Sequence, residues 1–188
     1  MEKEDRKTLI ADAAIELLGT VGARGLTHRA VDTQADLPAG STSFYCRTRL
    51  DLLTLTLRRH AALDLADLEV DAQRMAKAPL SVDGLIDLLI ARLADWLSPP
   101  KRPRLVARFE LFLMASREPE LAEILTQQRA YFLQATEAAL GHAGVPKPRQ
   151  MAPILVVLVD GMLLDQVRAN GPVATVAQQK AAFKKLLG

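Results

Sequence analysis

The spacing of apolar positions reads as a succession of helices. From Arg6 to Val21, Leu9, Ile10, Ala13, Ala14, Leu17, Leu18 and Val21 recur at one-face helical spacing, and Gly22 and Gly25 end the run. Thr27 is an N-cap for a short second helix with Ala30, Val31 and Ala35 on its apolar side. Asp36-Leu37-Pro38-Ala39-Gly40 breaks the pattern, and a third, very short helix is expected from about Ala39 to Tyr45. Thr48 and Asp51 have capping-box spacing and open a long helix through Leu52, Leu53, Leu57, Ala61 and Leu65 to about Val70. Lys77-Ala78-Pro79 breaks it, and Ser81 caps a helix over Val82–Leu97. After the stiff Ser98–Pro103 loop, helices are expected over Arg104–Ser116 and Pro119–Ala143, and from Lys147-Pro148 to about Ala169. Asn170-Gly171-Pro172 ends the last of these, and Val173–Leu187 forms a final one. No strand-type alternation and no internal repeat is visible, so the fold class is all-α.

The third helix is too short to build a core, and its residues are unusual: Ser41, Thr42, Ser43, Phe44 and Tyr45. Small hydroxyls let a backbone approach phosphates and donate to them, and an aromatic lies against a sugar or a thymine methyl. Two short helices around a tight turn therefore read as a helix-turn-helix with its second helix facing DNA. Net charge is only +2, but residues 24–59 carry six Arg against three Asp, a local +3 that leaves −1 for the remainder. A basic focus at one end of a nearly neutral molecule fits a small DNA-binding head.

At these residues a family resemblance becomes specific. The run PAGSTSFYCRTRLDLL resembles the recognition helix and following helix start of the tetracycline-repressor (TetR) family of bacterial regulators. Gly40, Phe44, Tyr45, Arg49, Asp51 and Leu52 stand in matching places. Ser43 stands where the family often has Tyr, and Cys46 replaces a core Phe. The resemblance covers roughly the first 55 residues well and the rest as a helix pattern. It implies a three-helix DNA-binding head, residues 1–47, and a helical ligand-binding and dimerisation body, residues 48–188.

The chain of 188 residues can bury a real core, and 49% hydrophobic content argues against disorder. No apolar run at the start has signal-peptide form, and the most apolar segment, Met151–Leu164, is interrupted by Asp160 and falls short of a membrane span. A single cysteine excludes an internal disulfide and a cysteine-based zinc cluster within one chain. These features lead to the expectation of a cytoplasmic protein with no membrane partner, metal or cofactor. His28, His60 and His142 sit on separate elements, and no nucleophile elbow or phosphate loop occurs, so no enzyme is expected.

Met151–Arg168 is apolar nearly all round and must be covered on every side. A second subunit covers one face, or the chain's own body covers both. The resemblance implies the former, with the last two long helices pairing across a two-fold axis, and makes Leu125, Phe132, Val157, Met162 and Leu164 dimer-interface candidates. It also implies an effector pocket in the body, with His60, Trp96, Arg108, Phe109, Phe112 and Asp160 as candidates and a small hydrophobic ligand. Asp160 within an apolar helix needs a partner, either an internal Arg such as Arg108 or a ligand.

The reading is a homodimeric, ligand-released repressor whose heads read a palindromic operator in double-stranded DNA, the half-sites one helical turn or a multiple apart. Thr27, Arg29, Ala39, Gly40, Ser41, Thr42, Ser43, Phe44, Tyr45 and Arg49 are the DNA-binding candidates, Tyr45 and Arg49 as phosphate anchors. The rival readings are an architectural DNA-binding protein without an effector, and a helical small-molecule-binding or interaction module.

Overall fold

A computed structural model describes residues 3–77, 79–168 and 174–188. Its described residues form nine helices and no strand: α1 (Lys3–Gly25), α2 (His28–Gln34), α3 (Ser41–Tyr45), α4 (Arg49–Met75), α5 (Val82–Leu97), α6 (Arg102–Ala115), α7 (Pro119–His142), α8 (Pro148–Arg168) and α9 (Val176–Leu187). The architecture is all-α, with an N-terminal helix-turn-helix and a helical body.

Most boundaries follow the expected punctuation. Thr27 Oγ1 accepts from the Ala30 N–H, and Ser81 accepts from Gly84. Thr48 and Asp51 form the reciprocal capping box at 2.8 and 3.0 Å. Several boundaries move, among them the end of α4, expected near Val70 and found at Met75. The third helix starts at Ser41 because Gly40, at φ 89, is a left-handed N-cap and Ala39 stays in the turn. Helix α6 begins at Arg102 because Pro103 is tolerated in a first helical turn. Helix α9 starts at Val176, where Thr175 and Gln178 make a capping box. The expected break at Ala78, the turn Asn170-Gly171-Pro172 and the start at Val173 lie outside the described residues.

The chain forms two compact units, 1–64 with 99–127, and 65–98 with 128–188. This division differs from the expected boundary after residue 47: packing groups the helix-turn-helix with the start of α4, with α6 and with the start of α7. In the first unit α1 lies along α6 so closely that a Cβ on Gly19 would sit 2.0 Å from the Pro103 carbonyl oxygen. Ile10, Ala14, Leu18, Leu26, Val31, Leu52, Ala107 and Leu111 are all fully buried in its core. Leu9 and Val21, expected on the buried face of α1, are exposed at its margins. Arg59 reaches back from α4 to grip both carboxylate oxygens of Asp12, at 2.7 and 3.0 Å.

In the second unit α5 packs against α8 and α9, with Phe183 and Leu187 buried. Lys180–Asp87 and Lys184–Asp83 ion pairs tie α9 to α5. Arg92 holds Asp71 through two bonds of 2.7 and 2.8 Å and Asp95 at 2.6 Å. Burial alone would make the guanidinium easier to deprotonate; Asp71 above all, with Asp67 and Asp95, keeps it charged.

Helix α8 corrects the sequence reading on one point. Its 21 residues are long and apolar enough to cross a membrane by length and composition, whereas the run Met151–Leu164 alone is too short. Only one side of α8, with Ala152, Leu155, Val156 and Leu163, is buried.

Candidate nucleic-acid interface

Helix α2 ends in a turn that delivers α3. The Leu37 N–H bonds to the Asp32 carbonyl and the Asp36 N–H to the Thr33 carbonyl, at 2.9 and 3.3 Å, which is a Schellman closure. Such a closure needs a left-handed residue; here it is Asp36, at φ 51. Pro38 and Gly40 complete the turn, and the Ser41 N–H bonds to the Pro38 carbonyl at 3.1 Å.

Among the expected DNA-contact residues of this pair of helices, Thr27, Arg29, Ala39, Gly40, Ser43 and Phe44 are exposed. Phe44 is 76% exposed, a large apolar surface that water alone does not favour. It stands edge-on to the half-buried Tyr45 ring, with 5.1 Å between centroids. The Thr27 hydroxyl oxygen is engaged as the cap of α2, which leaves its hydrogen to donate.

Three DNA-contact expectations change. Thr42 is completely buried, so its side chain cannot meet a base. It faces α2, and its N–H donates to Asp32 Oδ1 at 2.7 Å. The Ser41 hydroxyl donates to the Pro38 carbonyl at 2.6 Å, so its proton serves the turn rather than a phosphate. Arg49 directs Nη1 to the Leu26 carbonyl and Nη2 to the Ala23 carbonyl, both at 2.6 Å, fastening the start of α4 to the end of α1.

Two residues of the head escape sequence reasoning. Arg47 is exposed just beyond α3, where the sequence shows only its charge. Asp32 is 4% exposed and bonds to two amides at the start of α3. Burial alone would raise its carboxyl, but hydrogen bonds from Thr42 and from the Gly40 N–H, with His28 nearby, hold it below the ordinary carboxylate value. The available signal was the His28/Asp32 spacing of one helical turn on a helix with few apolar residues.

The effector candidates fall in both units. In the first, His60 and Arg108 meet on a residue the sequence did not flag, Asp64. His60 Nδ1 lies 3.4 Å and Arg108 Nη1 3.3 Å from Asp64 Oδ2, all three residues being at least 95% buried. His60 Nε2 donates to the Arg104 carbonyl at 3.0 Å. Burial alone would raise the Asp64 carboxyl; His60, then Arg108 and Arg104, outweigh it and keep it low. Arg108 also lies over the Phe112 ring, which meets Phe109 edge-on. In the second unit Trp96 is buried, donates its indole N–H to Asp67 at 2.8 Å and packs on Phe132. Asp160 is half-buried on α8.

Of the interface candidates, Val157 and Leu164 are exposed on α8, at 60% and 48%, and Met162 is half-buried. Phe132 is corrected: it is buried against Trp96 within its own unit. Leu125 packs against the core of the first unit. The exposed face of α8 carries Pro153, Ile154, Val157, Gly161 and Leu164, a stripe about 100° wide that stays apolar until Arg168.

With this geometry in place, a family model described as "Tetracyclin repressor-like, C-terminal domain" matches residues 80–188. The chain belongs to the tetracycline-repressor family of transcriptional regulators. No curated protein sequence matches it. Among solved structures, a TetR family member from Streptomyces coelicolor, SCO1917, is 26% identical, with TM-score 0.74 over 98% of this chain and 99% of that one. The multidrug binding protein EbrR complexed with ethidium is 27% identical, with TM-score 0.75 over 99% of this chain and 100% of that one. A transcriptional regulator from Rhodococcus sp. Rha1, 19% identical, shares the fold with TM-score 0.76 over 98% and 96% of the two chains. Membership of the TetR family makes this chain a transcriptional regulator and gives the helix-turn-helix its role in DNA binding.

Proposed function

We propose that this regulator is a homodimeric repressor that reads a palindromic operator and leaves it when a small hydrophobic effector binds its helical body. The observation that carries the reading is the outward surface of the helix-turn-helix, where Ser43, Phe44, Thr27, Arg29 and Arg47 are all exposed. Ser43 and Phe44 are the base-facing residues, and Thr27, Arg29 and Arg47 attach to phosphates. The head is residues 1–47 and the body residues 48–188. The protein acts in the cytoplasm, where its DNA is.

The dimer supplies two heads. Ile154, Val157 and Leu164 on α8 are apolar and exposed, and Gly161 between them has nothing within 4 Å of where a Cβ would stand, so another helix can approach closely there. Tyr131 on α7 is a further exposed aromatic. A second copy covering this stripe removes the cost of leaving it in water. Binding of a small molecule is supported by the similar multidrug binding protein EbrR, solved with ethidium.

Titration of a duplex chosen by the protein tests the reading. The native chain is expected to bind as two copies per duplex, and Val157→Arg to remain monomeric and lose affinity. Phe44→Ala is expected to lose about 1–3 kcal/mol of preference for the chosen sequence. An effector is expected to perturb Trp96 emission, raise the melting temperature and weaken DNA binding together, since coupling between sites is reciprocal. Binding near Trp96 with unchanged DNA affinity would favour the architectural rival.

A further inference from the structure

Helix α3 has five residues, too few to hold a helix by themselves. Its N-cap is Gly40, which has no side chain to close the first turn. The missing cap comes from α2. Asp32 Oδ2 accepts from the Gly40 N–H at 2.8 Å, and Oδ1 accepts from the Thr42 N–H at 2.7 Å. At the opposite end, His28 Nε2 lies 2.8 Å from the Cys46 carbonyl oxygen; a carbonyl only accepts, so the ring nitrogen donates. His28 and Asp32 are one turn apart on the same face of α2, so one helix grips the other at both ends.

We propose that His28 and Asp32 are positioning residues for base reading: their clamp sets the register and tilt of α3 against the groove. The proposal rests on the DNA-reading role given to α3 above. It carries a second consequence. The Gly40 and Thr42 amides are taken by Asp32 and the Ser41 amide by the Pro38 carbonyl, so these three start-of-helix donors are not aimed at a phosphate. Backbone anchoring then falls to residues outside α3, with Thr27, Arg29 and Arg47 exposed for it. Asp32 and His28 thus govern discrimination between sequences, whereas these flanking residues govern attachment to any sequence.

The test measures the ratio of affinities for a selected duplex and a scrambled one, using the full chain. Asp32→Asn keeps one acceptor oxygen but presents an amide donor to the other N–H, and it should reduce that ratio by about tenfold or more. Binding to the scrambled duplex should stay within about twofold, because the phosphate-contacting residues are untouched. His28→Ala should lower the ratio in the same direction, and His28→Gln, whose carboxamide can donate to Cys46, should restore much of it. A ratio unchanged in both Asp32→Asn and His28→Ala overturns the proposal. Equal weakening on both duplexes overturns it too, since that is what general loosening of the fold would give. Amide hydrogen exchange reads the clamp without DNA: Gly40 and Thr42 should exchange about tenfold faster or more in Asp32→Asn, and unchanged exchange removes the clamp. If the native chain shows no sequence preference, the DNA-reading role itself fails, and the exchange result still decides whether the clamp exists.

Discussion

Arg49, the first residue of α4, donates to the carbonyl of Leu26, the buried residue between α1 and α2, at 2.6 Å. Its second arm reaches Ala23 at the same distance, so one side chain ties the start of α4 to the end of α1. Charge-assisted bonds of this kind are each worth about 1–3 kcal/mol. Arg49 is exposed, which places it at the low end. Arg49→Ala is expected to lower the unfolding free energy by about 1–2 kcal/mol. Denaturant unfolding checks this; an unchanged midpoint together with a reduced salt dependence of DNA binding would return Arg49 to the phosphate-anchor role.

The crossing of α1 and α6 gives a steeper expectation. At Gly19 an added methyl would lie 2.0 Å from the Pro103 oxygen and 2.5 Å from its Cα, both backbone atoms that cannot rotate away. Gly19→Ala should therefore destabilise the first unit by at least about 1–3 kcal/mol, despite alanine's better helix propensity. Thermal unfolding decides it, and a melting temperature equal to or above the native one would contradict the close crossing.

Asp36 offers the opposite case. It occupies a left-handed conformation at φ 51 where the Schellman closure favours glycine. Asp36→Gly should raise stability by about 1 kcal/mol and the melting temperature by about 2–4 °C. Loss of stability would mean that the Asp36 side chain contributes more than its backbone conformation costs.

The helical punctuation was legible in the sequence because caps and breakers act locally. Thr27, Thr48, Ser81, Pro119 and Pro148 mark helix starts by the short-range bonds and fixed angles that the residue types dictate. What escaped was decided by contacts distant in sequence. Thr42 looks like a surface hydroxyl until Asp32 is folded over its N–H, and Phe132 looks like an interface aromatic until Trp96 is brought 6.4 Å from it. Asp64 and Arg92 each have one partner a turn away on the same helix, His60 and Asp95, a spacing that is ordinarily solvated; tertiary packing adds the distant partners, Arg108 to Asp64 and Asp71 to Arg92, and buries them.

Two buried carboxylates give the stability a pH dependence of known sign. Asp32 and Asp64 are both held below their ordinary value of 3.8. Their contribution is fully present above the unfolded-state value and is lost as pH falls through the lower folded-state values. The unfolding free energy should therefore be flat with respect to these groups from about pH 7 to 5 and drop below about pH 4. In Asp32→Asn part of that acid slope should disappear. A slope of the same size in the variant would show that Asp32 ionisation does not stabilise the fold.

In the proposed function, two copies of this chain read one DNA sequence through paired α3 helices. Selection of bound duplexes from a pool of random DNA, using the full chain without added ligand, tests it most directly. The expected outcome is enrichment of an inverted repeat whose half-site centres lie about one helical turn, or a multiple of it, apart. Recovery of unenriched DNA, or of a single half-site with no inverted partner, would contradict it.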